Sequence, residues 1–210
     1  MVTVVGKTSA SVSVVVLAAG GSSRMGPRSG HKLLSTFEGS TLVRKSVLTA
    51  LRSSARHVVV VTGHRSAAIE ASLHGLEIRS VRNKQYHLGI GSSISCGVEA
   101  VLEASPAGIM ISLSDMPALT AAHLDALISA FSSAKAPSIV QATANGEPGN
   151  PVIFPSALFD ELRRLTGDVG ARAVIKNGNV PVIRVEIGDA ARLDVDTPEQ
   201  VISAGGTLEP

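Results

Sequence analysis

The stretch Leu17-Ala18-Ala19-Gly20-Gly21-Ser22-Ser23-Arg24-Met25-Gly26 joins small residues, hydroxyls and one arginine directly after a run of valines. Small side chains let backbone N–H groups come close to a polyphosphate, and Arg24 can fork onto its oxygens. Lys32, a few residues on, can add a compact positive charge. On composition alone, a surface turn with solvated basic residues is an equal reading. Asp115 follows the apolar run Gly108 to Leu113. A carboxylate at the carboxyl end of a strand can hold Mg²⁺ together with phosphate oxygens; a turn or helix-capping aspartate is the alternative. Gly91, Ser92 and Ser93 open a predicted helix, whose free N–H groups favour an anion or a base edge, or simply form an N-cap. Gly63, followed by His64, ends another predicted strand near the same edge.

Other phosphate and catalytic signatures fit badly. Gly6-Lys7-Thr8 matches only the tail of a Walker A loop, with Met1 where the first glycine belongs. Gly89-Ile90-Gly91 is followed by serines, so no dinucleotide fingerprint forms. No Gly-x-Ser-x-Gly elbow occurs either. The 19 Lys and Arg against 17 Asp and Glu leave too small an excess for a nucleic-acid surface, and 2% aromatic residues leave almost nothing to stack bases on. The single Cys96 rules out an internal disulfide framework or a multi-cysteine zinc site, and reads as packing. The six histidines show no ligand spacing and read as surface or rim residues. No apolar run reaches membrane-spanning length, so a cytoplasmic protein is expected, with no membrane partner.

Positioning such residues requires strands under helices. With 44% hydrophobic residues and few aromatics, the core must be built from Val, Ile, Leu and Ala, as in parallel strands covered on both sides. Apolar runs of strand length alternate with helical periods. Strands are expected at 14–18, 58–62, 76–81, 108–113, 138–142, 151–154 and 182–187. Helices are expected from Ser40 or Thr41 to Leu51, at 67–73, from the Gly89–Ser93 stretch to about Ala104, from the Thr120 cap to Ser132, at 157–165 and 171–176, and from Pro198. Residues 145–150 read as a loop. The expected fold is a single-domain, three-layer α/β sandwich with a mostly parallel, Rossmann-like sheet and right-handed crossovers. Residues 1–13 read as a flexible extension, 14–203 as the domain and 204–210 as a tail. Both glycine-rich loops and Asp115 then meet beyond the carboxyl ends of the strands, where such sheets bind ligands.

The first loop resembles the Leu-Ala-Ala-Gly-x-Ser-x-Arg-Met-Gly signature, followed by Lys, of the MobA-like NTP transferases. That group includes molybdenum cofactor cytidylyl- and guanylyltransferases. Further matches are Arg82-Asn83, Gly89 to Ser93 with Gly97, Asp115-Met116-Pro117, Gly146-Glu147-Pro148-Gly149-Asn150-Pro151, Gly167-Asp168-Val169-Gly170-Ala171-Arg172, and Asp194-Val195-Asp196-Thr197-Pro198. The fourth and fifth look most like the molybdopterin cytidylyltransferase and xanthine dehydrogenase accessory branch. Two positions depart from it: Pro27 to His31 lengthen the span before Lys32, and Asn150 stands where the family often has His.

The resemblance implies a Mg²⁺-dependent nucleotidyltransferase that moves CMP from CTP to a phosphorylated acceptor, molybdenum cofactor being the expected one. Arg24, Lys32 and Asp115 would act at the phosphates, with Leu17 to Ser23, Gly63 and Gly91 to Ser93 around the nucleotide. It implies Asp196 as a second metal-side carboxylate; Asp194, its neighbour on what reads as a strand, is expected to point to the opposite face, so that only one reaches the metal. Gly149, Asn150, Asp168 and Arg172 would meet the acceptor, although Asp168 and Arg172 equally suit a lid or an ion pair at a helix start. The Ala18-Ala19-Gly20 form resembles the cytidylyl enzymes, and a methyl at the strand end would narrow the pocket toward a single-ring base. A sugar or polyol phosphate acceptor, and a non-catalytic accessory protein that attends a molybdoenzyme, are the rival expectations.

Overall fold

The computed structural model describes residues 11–26, 29–177 and 179–209. The extension up to residue 10, with Gly6-Lys7-Thr8, lies outside them, as do Pro27 and Arg28 of the lengthened span.

Nine strands form in chain order: β1 Val12–Ala18, β2 Thr36–Phe37, β3 Ser40–Thr41, β4 His57–Thr62, β5 Arg79–Arg82, β6 Gly108–Leu113, β7 Ile139–Ala144, β8 Glu147–Pro155 and β9 Val182–Glu186. The helices are α1 Leu42–Leu51, α2 Ser66–Ser72, α3 Ile90–Val101, α4 Ala121–Ser133, α5 Phe159–Arg163, α6 Arg172–Asn177 and α7 Pro198–Ser203. Seven strands make one sheet in the order β5-β4-β1-β6-β8-β7-β9. Only β8 runs against its neighbours. The sheet is therefore mostly parallel and α/β, as expected.

The valines of β1 show why. Buried on both faces, they sort by parity. Val12, Val14 and Val16 pack with Leu42, Val43 and Val47 of α1, Ile69 of α2, Leu124 and Leu127 of α4 and Val201 of α7. Val15 and Leu17 pack with Ile94 and Val98 of α3, Phe159 and Leu162 of α5 and Val174 of α6. These are two apolar layers around one sheet. Caps sit where the sequence puts hydroxyls. Thr41 accepts from the Arg44 N–H, Thr120 from the His123 N–H, and Thr197 forms a capping box with Gln200.

Three segments differ from expectation. Only Asn145 and Gly146, both at positive φ, form the turn expected over 145–150, and β8 starts at Glu147. Pro148, Gly149 and Pro151 read locally as loop, but the two-residue Asn145-Gly146 turn folds them back onto β7 as a hairpin, with a register shift between Gln141 and Thr143. The strand expected at 76–81 shrinks to Arg79–Arg82, and Leu76 and Ile78 instead pack on the core outside the ladder. The segment Asp194-Val195-Asp196 is not a strand.

Candidate functional site

The loop after β1 begins with Ala19, 3% exposed, and then turns into solvent. Neither Gly20 nor Gly21 takes positive φ. What they supply is space: no atom lies within 4 Å of the place a Cβ would occupy on either residue. The left-handed positions are Ser22 (φ 51°) and Gly26 (φ 75°). Between them, Ser23–Met25 form one turn of 3₁₀ helix. Met25 is buried at 2% exposure and anchors that turn, leaving Arg24 outward. Its Nη1 reaches Asp196 Oδ2 at 2.5 Å. The Ser22 hydroxyl is buried and makes no hydrogen bond among the described residues.

Despite the longer span before it, Lys32 arrives at the acidic residues. Its Nζ lies 2.6 Å from Asp115 Oδ2 and 2.7 Å from Asp196 Oδ1. Burial pulls the ammonium toward neutrality, but the Asp115 and Asp196 carboxylates outweigh it and hold Lys32 above the ordinary lysine value. Burial pushes the Asp115 carboxyl up against the pull of Lys32, and the nearby Asp194 and Asp196 push it the same way. Ser114 fixes the end of β6 by donating from Oγ to the Leu17 carbonyl at 2.6 Å. The Val195 N–H, donating to the Asp115 carbonyl at 3.0 Å, ties in the 194–196 segment.

That tie corrects the expectation for Asp194. Asp115, Asp194 and Asp196 each bring one carboxylate oxygen within 4.8 Å of the others. The segment is irregular, and residues two apart on a strand would share a face in any case. The cluster fits a hard divalent cation: all donors are carboxylate oxygens, and Asp115 Oδ1 is buried without a hydrogen-bond partner among the described residues.

Two cavities meet at this cluster. One, of about 290 Å³, is lined by Ala19, Gly20, Lys32, Tyr86, Ser93 and Asp115 among others. The second, of about 690 Å³, includes Gly149, Asn150, Asp168, Arg172 and Asp194 in its wall. Leu17, Ile90 and Leu113 line both. All four residues expected at the acceptor thus face one cavity. Ile94, Ile111, Met116 and Val152 also line it, with the buried Gln141, whose Nε2 donates to the Gly149 carbonyl at 3.3 Å.

Other expected residues fall elsewhere. Ala18 is fully buried in the opposite apolar layer. Gly63 lines neither cavity; a Cβ there would strike Ala19 and Tyr86, so it lets these two wall residues close up. The N–H of Gly91 is not free, since it donates to the Gly167 carbonyl at 2.9 Å. The single Ser92 hydroxyl proton is shared between the Gln85 and Gly89 carbonyls, at 3.0 and 2.8 Å. Asn83 Nδ2 donates to the hydroxyls of Ser92 and Ser93. The opening of α3 is therefore a braced turn, with only Ser93 of the three on the cavity. Gly149 lies so close to the Ala191 carbonyl that a Cβ would overlap it.

Sequence reasoning missed His31, Tyr86, Gln141 and Asp194. His31 is 1% exposed rather than on the surface, and its Nε2 lies 3.0 Å from the Gly20 carbonyl. Burial pushes its pKa down, against the Gly20 hydrogen bond. Gln141 carried a usable signal, an amide flanked by Ile139, Val140 and Ala142 in a buried strand; His31 carried none. Among the described residues, no helix is long and apolar enough to cross a membrane.

Comparison with known proteins converges on one group. Residues 14–182 match the family described as the MobA-like NTP transferase domain. The purine catabolism protein PucB of Bacillus subtilis is 35% identical over 198 residues, 89% of this chain and 92% of its own. The molybdenum cofactor cytidylyltransferase of Escherichia coli is 26% identical over 194 residues, 92% of this chain and 95% of its own. A solved protein of Mycobacterium tuberculosis, 25% identical, superposes with a TM-score of 0.77 over 92% of this chain and 97% of that one. A manganese complex from the same organism, 24% identical, gives 0.71 over the same shares.

Proposed function

From the premise that this chain belongs to the MobA-like NTP transferase family and is a nucleotidyltransferase, we propose that it transfers CMP from CTP to the phosphate of a fused-ring acceptor of the molybdopterin type. The observation that carries this reading is the junction of the two cavities. Asp115 stands in the wall of the smaller one and Asp194 in the wall of the larger. A donor in the first and an acceptor in the second would present their phosphates to the same carboxylates.

The reaction needs little covalent help from the protein. An acceptor phosphate oxygen attacks the α-phosphorus of CTP in line, a new P–O bond forms, and the bond to the β-phosphate breaks to release pyrophosphate. A phosphate monoester, with a second pKa of about 6, is already ionised at neutral pH, so no general base is required. Lys32 and Arg24 hold phosphate oxygens and offset their charge. Asp115, Asp194 and Asp196 would hold Mg²⁺, which would supply further charge neutralisation at the phosphates. Gly20 and Gly21 leave room for the triphosphate.

Two features support the choice of partners. Ala19 puts a methyl in the wall of the smaller cavity beside Tyr86, which favours a single-ring base. The aliphatic residues in the lining of the larger cavity, with Gln141 among them, suit a flat heterocycle with an amide edge better than a sugar ringed by hydroxyls. The test is a matrix of the four NTPs against molybdopterin and common sugar phosphates, read by pyrophosphate release. Release with CTP and molybdopterin is expected. A preference for GTP or ATP overturns the donor, faster turnover of a sugar phosphate overturns the acceptor, and nucleotide binding without release under any pairing points to an accessory protein.

A further inference from the structure

We propose that Glu209 is a positioning residue for the donor site, holding the Lys32 loop through His31 and Arg65 without touching the nucleotide; the inference rests on the transferase reading above. After α7 the chain turns back at Gly205, at φ 82°. Gly206 packs on the Phe37 ring with no room for a side chain. Thr207 and Thr36 then exchange both backbone hydrogen bonds, at 2.8 Å each. This brings the Glu209 carboxylate against the loop that leads to Lys32.

The contacts there are close and charged. Glu209 Oε2 accepts from the His31 N–H at 2.6 Å and from Arg65 Nη1 at 2.6 Å, while Oε1 accepts from Arg65 Nη2 at 2.6 Å. A two-pronged guanidinium pair with a backbone N–H on the same carboxylate is a directional arrangement. Gly30, at φ 67°, leaves the space the carboxylate fills: a Cβ there would lie 2.6 Å from Oε2. Beyond His31 the chain of contacts continues. Its Nδ1 accepts from the Leu33 N–H at 3.3 Å, which assigns the ring proton to Nε2 and makes Nε2 the donor to the Gly20 carbonyl. Its ring stacks on His64 at 5.5 Å, and the His64 N–H donates to the Ala19 carbonyl. Glu209 therefore acts on both sides of the donor cavity: on Gly20 through the His31 ring, and on Lys32 as the next residue in the chain. It lines neither cavity.

A loop held ready costs the ligand nothing to order, whereas a loosened one lowers apparent affinity by the fraction of molecules still competent. Once nucleotide is bound, its own contacts hold Lys32 in place. In the full chain, Glu209→Ala should weaken binding of a non-hydrolysable CTP analogue with Mg²⁺ about tenfold by calorimetry. It should raise KM for CTP to match, leave the acceptor KM unchanged and keep kcat within about twofold. Hydrogen exchange at the His31 and Lys32 amides should quicken in the free protein and slow again at saturating nucleotide. Arg65→Ala, made on a side chain at the surface, should reproduce the pattern, and stands in if Glu209→Ala does not fold. Glu209→Gln, which keeps an acceptor for the His31 N–H, should fall between. Unchanged exchange in the free variants, or a loosened loop with unchanged nucleotide affinity, would overturn the proposal. Wild-type protein that binds no nucleotide would sink the transferase reading instead, and exchange at His31 and Lys32 would still decide whether Glu209 holds the loop.

Discussion

At the residue scale, the central fact is that one ammonium bridges two of three clustered carboxylates. Asp115→Asn keeps the shape of the cluster and removes a charge at the reacting phosphate. Turnover should fall about a thousandfold or more, equivalent to about 4 kcal/mol of transition-state stabilisation, with unchanged circular dichroism. Near wild-type turnover at saturating Mg²⁺ would take Asp115 out of the metal site. Lys32→Ala should split two measurements. Transfer should slow, because a phosphate contact is lost, while divalent cations should bind the nucleotide-free protein more tightly, because their competitor for Asp115 and Asp196 has gone. Calorimetry showing equal or weaker cation binding would separate Lys32 from the metal cluster. Ala19→Gly removes the methyl from the smaller cavity. Selectivity for CTP over GTP, read as a ratio of kcat/KM, should drop by about ten- to a hundredfold, the worth of one wall contact.

At the element scale, the helix that braces the site depends on one missing side chain. A Cβ at Gly97 of α3 would come within 2.8 Å of Val61 and closer still to Val15. Both valines lie in the buried centre of the sheet, in β4 and β1. Gly97→Ala should therefore cost about 1–3 kcal/mol, seen as a Tm lowered by several degrees, and an unchanged Tm would mean that α3 can ride up without loss. Elements whose residues repeat their own pattern were legible in the sequence. β6 runs from Gly108 to Leu113 as expected, and α4 opens at its Thr120 cap. Where a neighbour decides, reading failed. Pro148, Gly149 and Pro151 announce a loop, yet lie in β8, because pairing to β7 outweighs local preference. The braced turn at Gly91 was illegible for the same reason, since the carbonyl that takes its N–H comes from Gly167, far along the chain. Asp115 and Lys32 could be picked out because each stands beside a recognisable motif. His31 could not, since nothing in its neighbours announces a buried ring.

At the scale of the whole molecule, buried His31 sets an acid limit. Its folded pKa lies below the ordinary 6.5, so the unfolded chain takes up its proton at higher pH than the native one does. Its contribution to stability is complete above about pH 6.5 and is lost as the pH falls from there toward the folded value. Denaturant unfolding at stepped pH should show that decline, and His31→Gln should flatten it; an identical slope in the variant would assign the loss to other groups. The reversed strand β8 has a wider consequence. Because it runs against β6, its first residues, rather than its last, reach the sheet edge where the parallel strands end. Gly149 and Asn150 thereby reach the larger cavity, whose polar side chains all come from positions after 140, while the smaller cavity is lined only by positions up to 115. The two cavities are divided like the fixed handle and exchangeable bit of a tool, with Asp194, Asp196 and Glu209 tying the later part of the chain back to the first. Substitutions at Asn150, Asp168 or Arg172 would alter the larger cavity and leave every residue that lines the smaller one in place. A chain built this way can change the lining of one cavity at little cost to the other.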